Sequence, residues 1–405
     1  MFASLIDRYR KLPRLGRVAS ILVTVVVAFV LVVSMTSGAI PGMKGRSQAL
    51  SGPLHAEGSK LFDVNGKEVT LTGVNWFGFE TGTFSPHGLW TRNWESMLDQ
   101  MVSSGYNTIR LPYSNELFTQ TAPPTEGIDY GQNPDLQGLY GIKLMDKIVK
   151  GATDRGLMVL LDQHRPDSQG QSELWYTSKL SEEQWLNDWT MLADHFKDNP
   201  LVIGGDLHNE PRGQATWGDG NAKTDWRMAA EKAGNAILAK NPNWLIVVEG
   251  VDKVGDDSYW WGGNLKGAKE NPVRLSQQDK LVYSAHDYGP GVYMQNWFMD
   301  KDFPNNMPAL WDKYWGYLNH EGTAPVLLGE FGGRSVDPAT TEGVWQHKLF
   351  EYLKDHGISY TYWSWNPDSG DTGGVLQDDW QTLDQAKVDL MSKYQAPRLE
   401  PTNNN

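Results

Sequence analysis

Eight short runs rich in apolar or β-branched residues recur along the chain, at 69–74, 107–112, 158–162, 202–207, 245–249, 281–285, 326–328 and 360–365. Stretches with apolar residues at helical spacing separate most of them, as parallel strands require, since parallel neighbours need a crossover of about a dozen residues or more. Helices are predicted over 94–102, 139–152, 224–240, 309–318, 344–353 and 383–391, and Ser181-Glu-Glu-Gln184 reads as a capping box opening another. Gly357 is placed to close the helix over 344–353. The interval 251–279 is rich in Gly and Asp and reads mostly as loop. Eight strands alternating with helices close into an α/β fold, the (β/α)8 or TIM barrel. Asn65-Gly66, central to the strand-turn-strand pattern over 60–70, predicts a small N-terminal β-hairpin with a type I′ turn capping the barrel bottom.

A single barrel is typically about 250 residues and can exceed about 400 with insertions, so one domain over 60–396 accounts for the bulk of the 405 residues. Residues 1–39 have the character of an export segment: Arg8, Arg10, Lys11, Arg14 and Arg17, with one acid, Asp7, precede the uncharged run 18–35. That run suits a long signal-peptide core and a membrane-spanning helix alike. Ser37-Gly38-Ala39 offers small residues for cleavage before Ile40, whereas the long basic flank resembles an uncleaved anchor. Either way the basic flank stays cytoplasmic and the large domain is placed outside, secreted or held at the cytoplasmic membrane. Residues 40–59 read as a short linker and 397–405 as a polar tail.

Removing the export segment's net charge of +4 from the whole-chain −13 leaves about −17, a strongly acidic surface. That argues against nucleic acid as a partner, confines any membrane contact to the N-terminal segment, and suits a soluble monomer. Cysteine is absent, which excludes disulfides, thiolate metal sites and cysteine nucleophiles. No metal or cofactor is expected. Asp368-Ser-Gly-Asp371 lacks the ligand count of a calcium loop, and His208-Asn-Glu-Pro lacks the second histidine of a zinc helix. The 18 Trp, 16 Tyr and 12 Phe exceed what a barrel core needs, so a subset is expected to line a groove while the rest pack helices on strands.

Parallel barrel strands present their C-terminal ends to one shared face. The residues there are Asn75 and Trp76 after the first run, Arg110 in the second, His164 after the third, Asn209 and Glu210 after the fourth, His286 and Tyr288 after the sixth, Glu330 after the seventh, and Trp363 and Trp365 in the eighth. Glu210 and Glu330, far apart in sequence, can therefore flank one bond, and paired carboxylates point to glycosidic cleavage. A structural ion pair is the bland reading of these acids and of Arg110, and loop-anchoring histidines would look the same as His164 and His286. Strand alternation sets Trp365 on the same side as Trp363. Trp260, Trp261, Trp90 and Trp175 suit outer sugar platforms or ordinary packing.

At these residues the chain resembles glycoside hydrolase family five, the retaining endoglucanases. The similarity covers about residues 60–394. It is carried by Asn209-Glu210-Pro211, Gly329-Glu330-Phe331-Gly332, Ile109-Arg110-Leu111-Pro112, His164, the pair His286 and Tyr288, and Trp363. Longer strings, Gly73-Val-Asn-Trp-Phe-Gly-Phe-Glu-Thr81, Leu174-Trp-Tyr-Thr177 and 363–374, look most like the bacterial cellulase branch. The resemblance implies that Glu330 is the nucleophile, kept ionised by Arg110, and that Glu210 is the acid/base, held protonated by desolvation and by Glu330's charge. It further implies that Asn209 bonds a sugar 2-hydroxyl, Tyr288 positions Glu330, His164 and His286 bind hydroxyls or orient the acids, and Trp363 floors the cleavage subsite. Asn75, Trp76, Trp365, Trp260 and Trp261 complete the expected substrate-binding set. The expected substrate is a β-1,4-glucan. Mannan, xyloglucan or mixed-linkage glucan would suit the same mechanism, and a non-catalytic surface glucan-binding protein is the alternative from another class.

Overall fold

A computed structural model of the chain describes residues 52–397, together with the backbone of 48–49 and 399–400. The export segment, its cleavage position and most of the expected tail lie outside the described residues. Among those described, no helix is long and apolar enough to cross a membrane.

Eight parallel strands close into a barrel in chain order: Thr72–Asn75, Thr108–Ser114, Met158–Arg165, Val202–Asp206, Leu245–Glu249, Leu281–His286, Val326–Glu330 and Ser359–Tyr362. Each matches an expected run, with ends shifted by a few residues. The largest shifts are at the first, which starts later than 69 because Glu68–Val69 belongs to the N-terminal sheet, the third, which runs three residues on to Arg165, and the eighth, which stops three residues before Trp365.

Alternation along the strands explains how one barrel holds both a core and a site. On the third strand Met158 and Leu160 point into the barrel, followed at the same period by Asp162 and His164. On the fifth, Leu245 and Val247 point in and are followed by Glu249. The inward face is thus apolar at the bottom and ionisable at the top. The bottom layer is sealed by Leu54, Leu61 and Val69 from the N-terminal sheet. The outward residues Val159, Leu161, Ile246 and Val248 pack under the helices in the larger core.

The expected hairpin gains a third strand, because His55–Glu57 pairs antiparallel with Lys60–Phe62 and so belongs to the domain rather than to a linker. Its turn is not type I′, which needs positive φ at both central residues. Only Gly66 is left-handed, at φ 73°; Gly66 N–H donates to Asp63 O, and the Asp63 carboxylate accepts from the N–H groups of Asn65 and Lys67.

The outer helices begin where side chains can satisfy the first free N–H groups. Asn93 caps Trp94–Ser103, Ser181 caps Glu182–His195, Asp225 caps Trp226–Leu238 and Thr340 caps Thr341–His356. The capping box at Ser181 is half formed: Ser181 accepts from Gln184 N–H, but the Gln184 side chain turns to Asp188. Gly357 is the left-handed C-cap, as expected. The helix expected over 309–318 is instead Met307–Trp311, a π turn at Asp312–Gly316, and Tyr317–His320. Between the fifth and sixth strands lie only a short hairpin and 3-10 turns, so that interval is largely loop.

Fourteen of the 18 Trp are buried, which assigns most of the aromatic excess to packing. Several tryptophans also do polar work. The indole N–H groups of Trp185 and Trp189 both donate to Leu207 O, and that of Trp226 donates to Glu249 O, satisfying carbonyls where strands four and five end.

Candidate active site

Arg110 is the hub of the barrel's upper end. Fully buried, its guanidinium donates to Asp206 (2.9 Å), Asn75 Oδ1 (3.0 Å), Asn209 Oδ1 (2.9 Å), Glu249 (3.1 Å) and Glu330 (2.7 Å), with Asp162 at 3.1 Å. Five strands thereby converge on one cation. Burial works against its charge, and the surrounding Asp162, Asp206, Glu330 and Glu249 outweigh burial and raise its pKa far above the usual value.

Glu330 ends the seventh strand and accepts from Arg110 on one oxygen and from the Tyr288 hydroxyl on the other, both at 2.7 Å. His286 Nδ1 stands 3.5 Å away and His164 Nδ1 3.9 Å away. Burial alone would raise its pKa; the charges of His286, Arg110 and His164 and the Tyr288 bond overcome it and bring the group to about 2.

Glu210 is pushed the other way. Its carboxyl is 3.1 Å from His286 Nδ1, and burial, opposed by that hydrogen bond but reinforced by the charge of Glu330, raises its pKa. An oxygen of Glu210 and one of Glu330 lie within 4.8 Å of each other. The Glu210 backbone is left-handed at φ 53°, a conformation that costs a non-glycine residue on the order of 1–3 kcal/mol. Its N–H is secured by Glu249 Oε2 at 2.8 Å.

A register shift between Ala285 and His286 pairs His286 with Glu330 and aims the ring between the two acids. His286 also lies 3.3 Å from Glu249. Burial opposes its charge, but Glu249 and Glu330 outweigh burial and hold the imidazole protonated. His164 is likewise raised against burial, chiefly by Asp162 at 2.7 Å. Asp206 is raised by burial and by the charge of Glu249.

Above the acids opens a cavity of about 580 Å³, a size that admits sugar units. His164, Glu210, Tyr288, Glu330, Trp260, Trp261 and Trp363 all reach it. Trp363 lies parallel to Phe77 at 5.3 Å and to His164 at 5.4 Å. Asn209 leaves its amide Nδ2 buried with no partner among the described residues.

Three expected substrate contacts are corrected. Asn75 is fully buried with both ends used, donating to Gly329 O and Thr361 O while accepting from Arg110, so it braces the strands. Trp76 is fully buried and donates to His87 O, and Phe77, one position on, is the ring that meets Trp363. Trp365 lies beyond the end of its strand, where alternation no longer applies; it is fully buried, edge-on to Tyr106 and against Met97. Of the undecided aromatics, Trp175 is core, packed on Trp185 and Trp226. Trp90 and Trp261 are exposed, and Trp261 reaches the cavity.

Sequence reasoning missed Asp162, Asp206 and Glu249, although each is an acid at or next to the end of an apolar run, the same signal that marked Glu330. It also missed Tyr259, Tyr293 and Asp371 on the cavity wall, which come from loops without a strand pattern.

Among the described residues two triplets, Asp162–His164–Glu330 and Glu210–His286–Glu330, bring ligand atoms within 4.8 Å. Both use Glu330, whose nearest charge is already the fixed Arg110 guanidinium, and a cation there would compete with it.

The model of the cellulase family, glycosyl hydrolase family 5, matches residues 62–369. An endoglucanase of Paenibacillus polymyxa is 54% identical over 352 residues, covering 86% of this chain and 88% of its own. The major extracellular endoglucanase of Xanthomonas campestris is 46% identical over 337 residues, covering 82% of this chain and 69% of its own. A cellotetraose complex of an endocellulase from Pyrococcus horikoshii superposes with a TM-score of 0.80 at 42% identity, covering 86% of this chain and 100% of that one.

Proposed function

The chain belongs to glycosyl hydrolase family 5, and from that membership we propose that it is a retaining endo-β-1,4-glucanase in which Glu330 is the nucleophile and Glu210 the acid/base. The observation that carries the reading is the opposite tuning of two carboxyls within 4.8 Å of each other, one lowered to about 2 and the other raised. That spacing suits the roughly 5–5.5 Å of retaining enzymes and falls short of the roughly 6.5–9.5 Å that an inverting enzyme needs to seat a water.

The reaction proceeds in two displacements. Glu330 attacks the anomeric carbon while Glu210 gives its proton to the departing glycosidic oxygen, forming a glycosyl ester on Glu330. Glu210, now ionised, takes a proton from water, whose oxygen attacks the same carbon and releases the sugar with its configuration retained. Arg110 and Tyr288 hold Glu330 in line. His286 contacts both acids and couples their charges. The unpartnered Asn209 amide is a donor for the sugar 2-hydroxyl, a bond that strengthens as positive charge develops on the ring. Trp363 floors the cleavage subsite, and Trp260 and Trp261 contact further units. The extracellular relative supports an exported enzyme, and the monomer remains the assembly we propose.

Reducing-end release from carboxymethylcellulose, with glucomannan and xylan in parallel, tests the substrate. Rapid cleavage of the cellulose derivative with loss of viscosity is expected, and cleavage of mannan alone would overturn the glucanase reading. A chelator is expected to leave the rate unchanged, because Arg110 supplies the fixed positive charge at Glu330.

Turnover requires Glu330 ionised and Glu210 protonated. With Glu330 at about 2, no acid limb should appear near the ordinary carboxyl value of about 4.3, and the rate should fall as pH rises through the elevated pKa of Glu210. For 2,4-dinitrophenyl β-cellobioside, whose leaving group needs no proton, kcat/KM should lack that alkaline limb in the parent and in Glu210→Ala alike. An unchanged limb in the variant would assign it to another group.

A further inference from the structure

Arg212 stands two residues beyond Glu210 and, among the described residues, has no carboxylate within ion-pair distance. Its Nη1 donates instead to Glu210 O at 3.0 Å and to Ser172 O at 3.3 Å. The guanidinium carbon lies 4.2 Å from the ring centroid of Trp261. Trp261 is 50% exposed, reaches the cavity, and among the described residues has no aromatic neighbour, so Arg212 backs one face of its ring and leaves the other to the cavity. The segment carrying it packs directly on the acid/base. A Cβ built at Gly262 would stand 2.3 Å from Glu249 Oε2 and 3.4 Å from Glu210 Cα.

Resting on the reading of Glu210 as acid/base, we propose that Arg212 is a positioning residue that ties a leaving-group platform, the open face of Trp261, to the Glu210 backbone. The two exposed-edge tryptophans of the cavity belong to different carboxyls. Trp363 is fastened on the Glu330 side, its backbone N–H donating to Phe331 O at 2.8 Å and its indole N–H to Ser369 Oγ at 3.1 Å. Trp261 is fastened through Arg212 to the carbonyl of Glu210, the residue that protonates the departing oxygen. A glucosyl unit presents C–H groups on both faces of its ring and stacks on a flat indole, so the unit that receives the proton rests on Trp261. Backing by a guanidinium fixes the indole, and such contacts contribute about 0.5–2 kcal/mol. Arg212 therefore holds the platform and the backbone of the proton donor with the same guanidinium, and sets their relative placement.

The test compares Arg212→Lys, Arg212→Met, Trp261→Ala and the double variant Arg212→Met/Trp261→Ala in the full chain. Two substrates are used, cellotetraose, whose cleavage fills the leaving-group side with sugar, and 2,4-dinitrophenyl β-cellobioside, which places none there. Each single change to Met or Ala is expected to lower kcat/KM on cellotetraose about tenfold, with the double variant no worse than Trp261→Ala, because both remove one coupled device. Arg212→Lys, which keeps charge but loses the flat fork, should resemble Arg212→Met. Losses on the aryl cellobioside should stay within about twofold. Losses that multiply in the double variant, or fall equally on both substrates, would overturn the proposal. Glu210→Ala, run beside them, separates the two claims: a selective loss on cellotetraose there, with none in the Arg212 and Trp261 variants, leaves the acid/base reading standing and removes this one.

Discussion

Glu330→Gln is expected to lower glucan turnover by roughly 10⁴- to 10⁶-fold, the scale on which removal of a covalent nucleophile acts. The amide is isosteric, and its oxygen can still accept from Arg110 while its NH2 faces the Tyr288 hydroxyl oxygen, so the seventh strand keeps its geometry, but it offers no anion to attack the anomeric carbon. Arg110 retains Asp162, Asp206 and Glu249 around it, and the melting temperature should change little. Steady-state rates on cellotetraose with a melting curve check both halves. A residual rate within a hundredfold of the parent would remove Glu330 as nucleophile.

Arg110→Leu should damage the fold itself. The guanidinium is the shared partner of four buried carboxyls, and its loss leaves them facing one another without their cation. Breaking a buried ion pair from one side costs about 3–5 kcal/mol, which in a chain of this size corresponds to a fall on the order of 10 °C in melting temperature or to loss of soluble protein. Arg110→Lys keeps one charge but cannot reach Asp206, Asn209 and Glu330 at once, so it should fold better than the leucine variant while remaining far below the parent rate. An Arg110→Leu protein with parental stability would show that the acids rearrange or protonate without cost.

The barrel was legible because each strand is a short apolar run with a chemical ending. The two acids, Arg110, His164, His286 and Tyr288 were legible for the same reason, since a strand end is a fixed address on one face. Asn75 shows what that logic leaves out: a polar residue at the right address can be consumed by its neighbours, and the carbonyls its amide donates to come from strands more than 250 positions away. Trp365 failed because alternation was extended past Tyr362, where the strand stops. Asp162, Asp206 and Glu249 carried the right signal but were read only as run endings. The π turn in Asp312–Gly316 had no local signature, and Trp261's link to Arg212 joins two loops, where periodicity says nothing.

Covalent trapping is the most direct measurement of the central claim. The protein is incubated with 2,4-dinitrophenyl 2-deoxy-2-fluoro-β-cellobioside, which forms the first ester quickly and releases it slowly, and the labelled peptide is then mapped by mass spectrometry. The account predicts one stoichiometric adduct on Glu330, with activity regained when a sugar acceptor discharges it. An adduct on another carboxyl, or hydrolysis with inverted configuration and no adduct, would contradict it.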